Sequence, residues 1–271
     1  MAASRSVETS DGARLTVLVD GDASLPAVML VSGLSGTAAF WEPVLAALSA
    51  HMRLVRLDQR GVASSTRGSR TTTIDLLAED CLAILDAIGV QRPLLLGHST
   101  GGVILQSMAL QRPGAFAGLI LSATWARPGR YMTELFNARR SVLDAVPQAY
   151  AALTPFLGYP PDWIDRHWPQ VSRMMTNAPA ALDQQRIMIE RINALMSFDR
   201  SGELARIREP TLVQGAEDDL IVPAFLQREL RDLMPGSELA MLPSGGHFFP
   251  VSRSADFVAN VIAFARSIKH I

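Results

Sequence analysis

The stretch LLLGHSTGG, Leu94–Gly102, decides the fold. Its leucines read as a short buried strand, and GGVILQSMAL behind it reads as an apolar segment of helical length. One serine, Ser99, stands between the two, hemmed by Gly97 and Gly101 in a G-x-S-x-G turn. A sharp strand-to-helix turn forces that serine into a strained backbone conformation, and the glycines remove Cβ atoms that would collide with neighbouring backbone. The hydroxyl is then presented at the carboxyl edge of a sheet, where open α/β sheets bind ligands. Ser99 is therefore the candidate nucleophile.

Working outward, the runs AVMLVS (27–32), RLVRLD (53–58), PLLLG (93–97) and GLILS (118–122) are short and rich in Val, Leu and Ile. Amphipathic stretches separate them: AAFWEPVLAALSA, TIDLLAEDCLAILDAIGV and GGVILQSMALQRP. Strands alternating with helices are what parallel crossover units require. Upstream, VET and ARLTVLV flank the turn-forming SDG as a hairpin. After Ser122 the alternation stops. From Trp125 to about Arg200 the chain reads as helical with proline breaks, and Ala181, Gln185, Met188, Ile192, Leu195 and Met196 recur at helical spacing, as in a helix packed on something else. The α/β rhythm resumes with TLVQG (211–215), PAFLQRELRDLMP, ELAMLP and a last helix from about Ser254. The expectation is a mostly parallel, twisted sheet flanked by helices. Residues 1–124 and 201–271 form its core, and residues 125–200 form a helical cap inserted after the sixth strand, a candidate lid.

Composition narrows the function classes. A chain of 271 residues that is 48% hydrophobic and 19% charged has ample material for a core. Its formal net charge of −1, with scattered Lys and Arg, offers no footprint for nucleic acid or an anionic membrane. No segment approaches the roughly 18 uninterrupted apolar residues of a membrane span, and MAASRSVETSDG lacks an export pattern, so a cytoplasmic location is expected. The lone Cys81 shares helical spacing with Leu77, Ile84, Leu85 and Ile88 and reads as a buried, inert thiol. The expected partner is a small-molecule substrate alone, with no metal or cofactor, in a monomer or homodimer.

A serine hydroxyl is a weak nucleophile until a base takes its proton, and that base must be held by a third group. Of five histidines, His98 lies inside the turn with its side chain expected to point away, and His51, His167 and His270 lack a loop or strand-end context. His247 follows the strand ELAMLP in the loop SGGHFF, where Gly245 and Gly246 permit a close approach. The acid should come from GAEDDLIVP, where Glu217, Asp218 and Asp219 compete. Acyl transfer also needs N–H donors at the developing oxyanion, typically worth ~3 kcal/mol each. Thr100, directly after the serine, supplies one.

Taken together, these stretches resemble the α/β-hydrolase superfamily, whose catalytic carboxylate stands four residues before a proline, a pattern that maps onto Asp219 and Pro223. VSGLSGTAAFW is similar to the family's H-G-x-G stretch, with Leu34 in the second donor position and Ser32 in place of histidine. LDQRGVASS resembles D-x-R-G-x-G-x-S, with Ala63 replacing a glycine, and Asp58 and Arg60 read as structural. Within the superfamily, SGLSGTAAFW, DQRG, PFLGYPPDWI, RINAL and AEDDLIVP through SGGHFF look most like aminoacrylate hydrolases, while LSATWA and RIREPTLV are similar to 3-oxoadipate enol-lactonases.

The resemblance implies a cofactor-free serine hydrolase that cleaves a small ester, lactone or amide (C–N) bond through Ser99, His247 and Asp219 and an acyl-enzyme. Two alternatives share the fold: a ligand-binding receptor, and a C–C bond hydrolase or cofactor-free haloperoxidase. The expected pocket, some ~300–1,000 Å³, is lined by Phe40, Trp41, Trp163, Met188, Ile192 and Phe248, with Met132 and Leu135 beside them. Arg139, Arg140 and Arg191 are candidate anchors for a substrate carboxylate.

Overall fold

The short Val, Leu and Ile runs pair into one sheet. In the computed structural model, which describes residues 3–271, eight strands form in chain order. These are β1 (Ala3–Glu8), β2 (Arg14–Asp20), β3 (Ala27–Val31), β4 (Arg53–Leu57), β5 (Leu94–His98), β6 (Gly118–Ser122), β7 (Thr211–Ala216) and β8 (Glu238–Leu242). Their order across the sheet is β1-β2-β4-β3-β5-β6-β7-β8. The hairpin pairs antiparallel, and β2 pairs antiparallel with β4. Every contact from β4 to β8 is parallel, so β3, β5, β7 and β8 all end at one edge.

Both faces of a parallel sheet must be covered, and alternate residues of each strand do this in turn. Met29, Val31, Leu95 and Leu121 pack with α2 (Ile74–Ile88) and α3 (Thr100–Gln111). Val28, Leu30, Leu96 and Ile120 pack on the other face with α1 (Glu42–Ser49) and the last helix, Ser254–Ser267. The strands of the middle are buried throughout, β5 and β6 at every residue. Asp58 and Arg60 hold the loop after β4. Asp58 Oδ1 accepts the Ala38 N–H at 2.9 Å, and the buried Arg60 reaches Asp80 and Asp11 at 2.6 and 2.8 Å. Ala63, where the resembling pattern has glycine, carries a φ of 48°.

Five helices lie in the chain between β6 and β7: α4 (Arg130–Ala145), α5 (Pro147–Gly158), α6 (Pro161–Arg166), α7 (Trp168–Met175) and α8 (Leu182–Met196). Pro147, Pro161 and Pro169 fall in the first turns of α5, α6 and α7, where a missing N–H costs no intrahelical bond. These three proline breaks of the sequence are therefore helix starts, whereas Pro155 lies inside α5. The ends of the segment meet where the Arg200 N–H donates to Ala126 O at 3.2 Å. Its apolar face, with Phe136, Ile192 and Leu195, joins the same core cluster as Leu121 and Val213. No helix among the described residues is long and apolar enough to cross a membrane.

Candidate active site

Ser99 sits between β5 and α3 with φ 56° and ψ −120°, a region that costs a non-glycine residue on the order of 1–3 kcal/mol. The surroundings impose it. The Ser99 N–H donates to Ser122 O at 2.7 Å, and Ser99 O accepts the Gly102 N–H at 2.9 Å. A Cβ at Gly97 would lie 2.5 Å from Gly101 O, and one at Gly101 would collide with Val31 O. Both glycines are therefore demanded by the close approach of backbone to backbone.

His247 follows β8, and Asp219 follows β7. Their side chains meet with Nδ1 to Oδ2 at 2.8 Å, both almost fully buried. The remaining Asp219 oxygen, Oδ1, accepts the N–H groups of Ile221 and Val222, each at 2.8 Å. A carboxylate only accepts, so Nδ1 carries the imidazole proton and Nε2 of the neutral ring is left as the basic nitrogen. The two neighbouring acids go elsewhere. Asp218 accepts the N–H groups of Gly245 and Gly246 at 3.1 and 2.9 Å, pinning the backbone that carries His247. Glu217 pairs with Arg228 near the surface. Ser99 and His247 line one cavity without a hydrogen bond between them.

The loop after β3 runs against the serine. A Cβ at Gly33 would lie 3.1 Å from Ser99 Cβ and 3.5 Å from Ser99 Oγ, and Leu34 lines the same cavity. Thr100 opens α3, so its N–H belongs to the first turn, where helices offer no internal acceptor. Ser32, where the resembling pattern has histidine, has its hydroxyl buried without a hydrogen bond.

The cavity measures about 300 Å³. Phe40, Met188 and Phe248 line it, as does Leu34. Three other residues expected there lie elsewhere. Trp41 is fully buried in the core beneath α1 and the last helix, stacked on Phe257 at 6.2 Å. Trp163 is sandwiched between Tyr159 at 4.2 Å and His167 at 4.1 Å. Ile192, one helical turn beyond Met188, is sealed in the main core, as is Met132. An apolar stripe marks which face of a helix packs, but not how far along it the cavity extends. Leu135, only partly buried, is also outside the lining.

The arginines separate by environment. Arg139 lines the cavity, bonded to the Thr154 hydroxyl at 3.2 Å and lying over the rings of Phe136 and Tyr150. Arg140 is held by Asn193 at 2.8 Å away from the cavity. Arg191 is buried against the loop after β3. Sequence reasoning missed Phe136, Tyr150 and Tyr159, which also line the cavity. The i, i+3 spacing of Phe136 and Arg139 on α4 was a usable signal for the first. Burial pushes the Tyr159 phenol well up from its usual range, so it remains a hydroxyl.

His98 also departs from expectation. Its ring turns toward the site, stacked on Phe40 at 4.9 Å, with its centroid 5.0 Å from that of His247 and Nδ1 3.0 Å from Ser122 Oγ. Burial, and then repulsion from His247 when that ring is protonated, hold its pKa well below the usual imidazole value. Among the described residues no cluster of three or more His, Cys, Asp or Glu side chains is arranged as metal ligands.

Comparison with known proteins identifies the family. Residues 28–261 match the model of the alpha/beta hydrolase family. The protein named carbamate hydrolase RutD in Variovorax paradoxus (strain S110) is 37% identical over 249 residues, 91% of this chain and 94% of that protein. Its namesake in Stutzerimonas stutzeri (strain A1501) is 36% identical over 234 residues, 86% of this chain and 88% of that one. A crystal structure of a hydrolase from Pseudomonas aeruginosa superposes with a TM-score of 0.86 at 30% identity, over 96% of this chain and 97% of that one. The enol-lactonase from Burkholderia xenovorans LB400 shares the fold, with a TM-score of 0.86 at 24% identity over 97% of this chain and 100% of that one. A serine on a strained strand-to-helix turn at the carboxyl edge of this sheet, and a family match over most of the chain, lead to one conclusion: the protein is a hydrolase and belongs to the α/β-hydrolase family.

Proposed function

We propose that this hydrolase is a serine enzyme that cleaves a small ester, lactone or C–N bond by way of an acyl-enzyme, with Ser99 as nucleophile, His247 as base and Asp219 as the group that orients it. The observation that carries the reading is the convergence of Ser99, His247 and Leu34 on one cavity. As Ser99 Oγ attacks the substrate carbonyl carbon, its proton passes to His247 Nε2, and the imidazolium so formed is stabilised by Asp219 through Nδ1–H. The carbonyl electron pair moves onto oxygen, which the N–H groups of Leu34 and Thr100 receive. His247 returns the proton to the leaving alkoxide or amine. Water then gives a proton to His247 and attacks the acyl carbon, and as the bond from that carbon to Ser99 Oγ breaks to release the acid, His247 returns the proton to Oγ. Ser99 and His247 close to hydrogen-bond distance with substrate in place, since such bonds are often long in the free enzyme.

The substrate class follows from the cavity and from the relatives. About 300 Å³ suits a small substrate, and the named activities among the relatives, on a carbamate and on an enol-lactone, are both acyl cleavages. Residues 125–200 act as the cap, because α4, α5, α7 and α8 all send residues to the lining. Arg139 is the only Arg, Lys, Asp or Glu in that lining, which favours an acyl part bearing a carboxylate.

The test is turnover of p-nitrophenyl acetate and a panel of small lactones and carbamates, in neutral and acidic pairs, by wild type and Ser99→Ala. Removing the hydroxyl should lower kcat/KM on the order of 10³-fold or more with an unchanged thermal transition. Retention of most activity would overturn the serine mechanism.

A further inference from the structure

Burying an arginine is costly, and the usual compensation is a carboxylate. Arg191, on α8, is only 1% exposed, yet its guanidinium bonds to three neutral oxygens. Nε donates to Leu34 O at 2.9 Å, and Nη2 donates to Gly33 O at 3.4 Å and to Gln59 Oε1 at 2.6 Å. Gln59 extends the grip: its Nε2 donates to Ser32 O at 2.8 Å, and its backbone N–H to Gly36 O, also at 2.8 Å. The carbonyls of Ser32, Gly33 and Leu34 are thus all tied, two by the arginine and one through its glutamine partner.

These are the carbonyls of the loop that lies against Ser99. In a trans peptide the C=O and the following N–H point in opposite directions, so fixing the Gly33 carbonyl fixes the direction of the Leu34 N–H. A cation on that carbonyl also polarises the peptide and strengthens its N–H as a donor. Burial lowers the Arg191 pKa to about 10, which leaves the cation intact at neutral pH. The docking of α8 does not depend on this residue alone. Glu190, beside it, accepts the Thr72 N–H at 2.7 Å and pairs with Arg67 at 2.7 Å.

We propose that Arg191 is a positioning residue for the oxyanion site: from the inserted segment it holds the Gly33–Leu34 peptide so that the Leu34 N–H faces the Ser99 adduct. This rests on the Ser99 acyl-enzyme reading above. It makes the seating of α8 on the core part of the catalytic apparatus as well as the wall of a pocket.

The experiment compares wild type with Arg191→Met, Arg191→Lys and Arg191→Ala as full-length chains. Thermal transitions are recorded, and Ser99 sites are counted by labelling with a fluorophosphonate. Per labelled site, kcat for p-nitrophenyl acetate should fall on the order of 10- to 100-fold in the Met and Ala variants, and less in Lys. KM should change by less than about threefold. Added guanidinium should restore kcat to Arg191→Ala and leave wild type unaffected. If Arg191→Met and Arg191→Ala fail to fold, Arg191→Lys carries the test, because one ammonium replaces the fork and kcat must still drop at constant KM. Unchanged kcat per site in folded variants, or a loss that falls on KM alone, would overturn the inference. Wild-type turnover with no label on Ser99 would instead overturn the acyl-enzyme reading, so the two failures are distinguishable.

Discussion

Adjacent carboxylates in GAEDDLIVP do different work on one histidine. Asp219 holds the imidazole through Nδ1, while Asp218 holds the peptides of Gly245 and Gly246 just before it. Asp219→Asn puts an amide NH2 where the acceptor was, which favours the wrong tautomer. Its kcat should fall about 10⁴-fold, by analogy with the same change in serine-protease triads. Asp218→Asn keeps one oxygen for one of the two N–H groups and should cost about tenfold or less. Parallel kcat measurements on the two variants decide the assignment, and the reverse ranking would contradict it. Sequence spacing left Glu217, Asp218 and Asp219 in competition, and only the family pattern of an acid four residues before Pro223 singled one out. Ser99 was easier to read, because its glycines answer to contacts within a few residues. Arg191 could not be assigned this way. Two of its three partners are backbone carbonyls 157 and 158 positions away, and a carbonyl belongs to every residue type.

At the scale of elements, the inserted helices touch the loop that carries His247 as well as the loop after β3. Gly158, the last residue of α5, faces the ring of Phe248, and its carbonyl accepts the Phe248 N–H at 2.9 Å. A Cβ there would overlap Phe248, whose ring lies 5.3 Å from that of His247. Gly158→Ala should therefore displace His247 and, on the proposed mechanism, lower kcat/KM on the order of 10- to 100-fold. Gly202→Ala, with nothing within 4 Å of the new methyl, should match wild type. Steady-state kinetics on the pair checks this, and equal activity in both would remove the coupling. The periodicity of Ala181 through Met196 foretold α8 well, since that helix spans Leu182–Met196. It could not foretell that a charged neighbour on the same helix would be as buried as Ile192. Aromatic residues misled for a related reason. Trp163 looked like pocket material, but Tyr159 and His167, four residues to either side, stack on it instead.

Across the whole molecule, Leu34, Ser99, Asp219 and His247 converge because each lies a few residues beyond the carboxyl end of a parallel strand. The alternation of apolar runs with amphipathic stretches made that edge legible. The order of strands across the sheet was not, because placing β4 outside β3 depends on pairings between distant segments that leave no local pattern. The buried Cys81 stands apart from this edge, on α2, where burial pushes its thiol well up from the usual range, so it remains protonated. On the proposed mechanism it is Ser99, on the strained turn at this edge, that takes the acyl group. The most direct measurement is acid quench of wild type during turnover of p-nitrophenyl acetate, followed by mass spectrometry of the intact chain and its peptides. The account predicts one added acetyl group per chain, carried by Ser99 and absent from Ser99→Ala. An acetyl group carried by any other residue, or full turnover by Ser99→Ala, would contradict it.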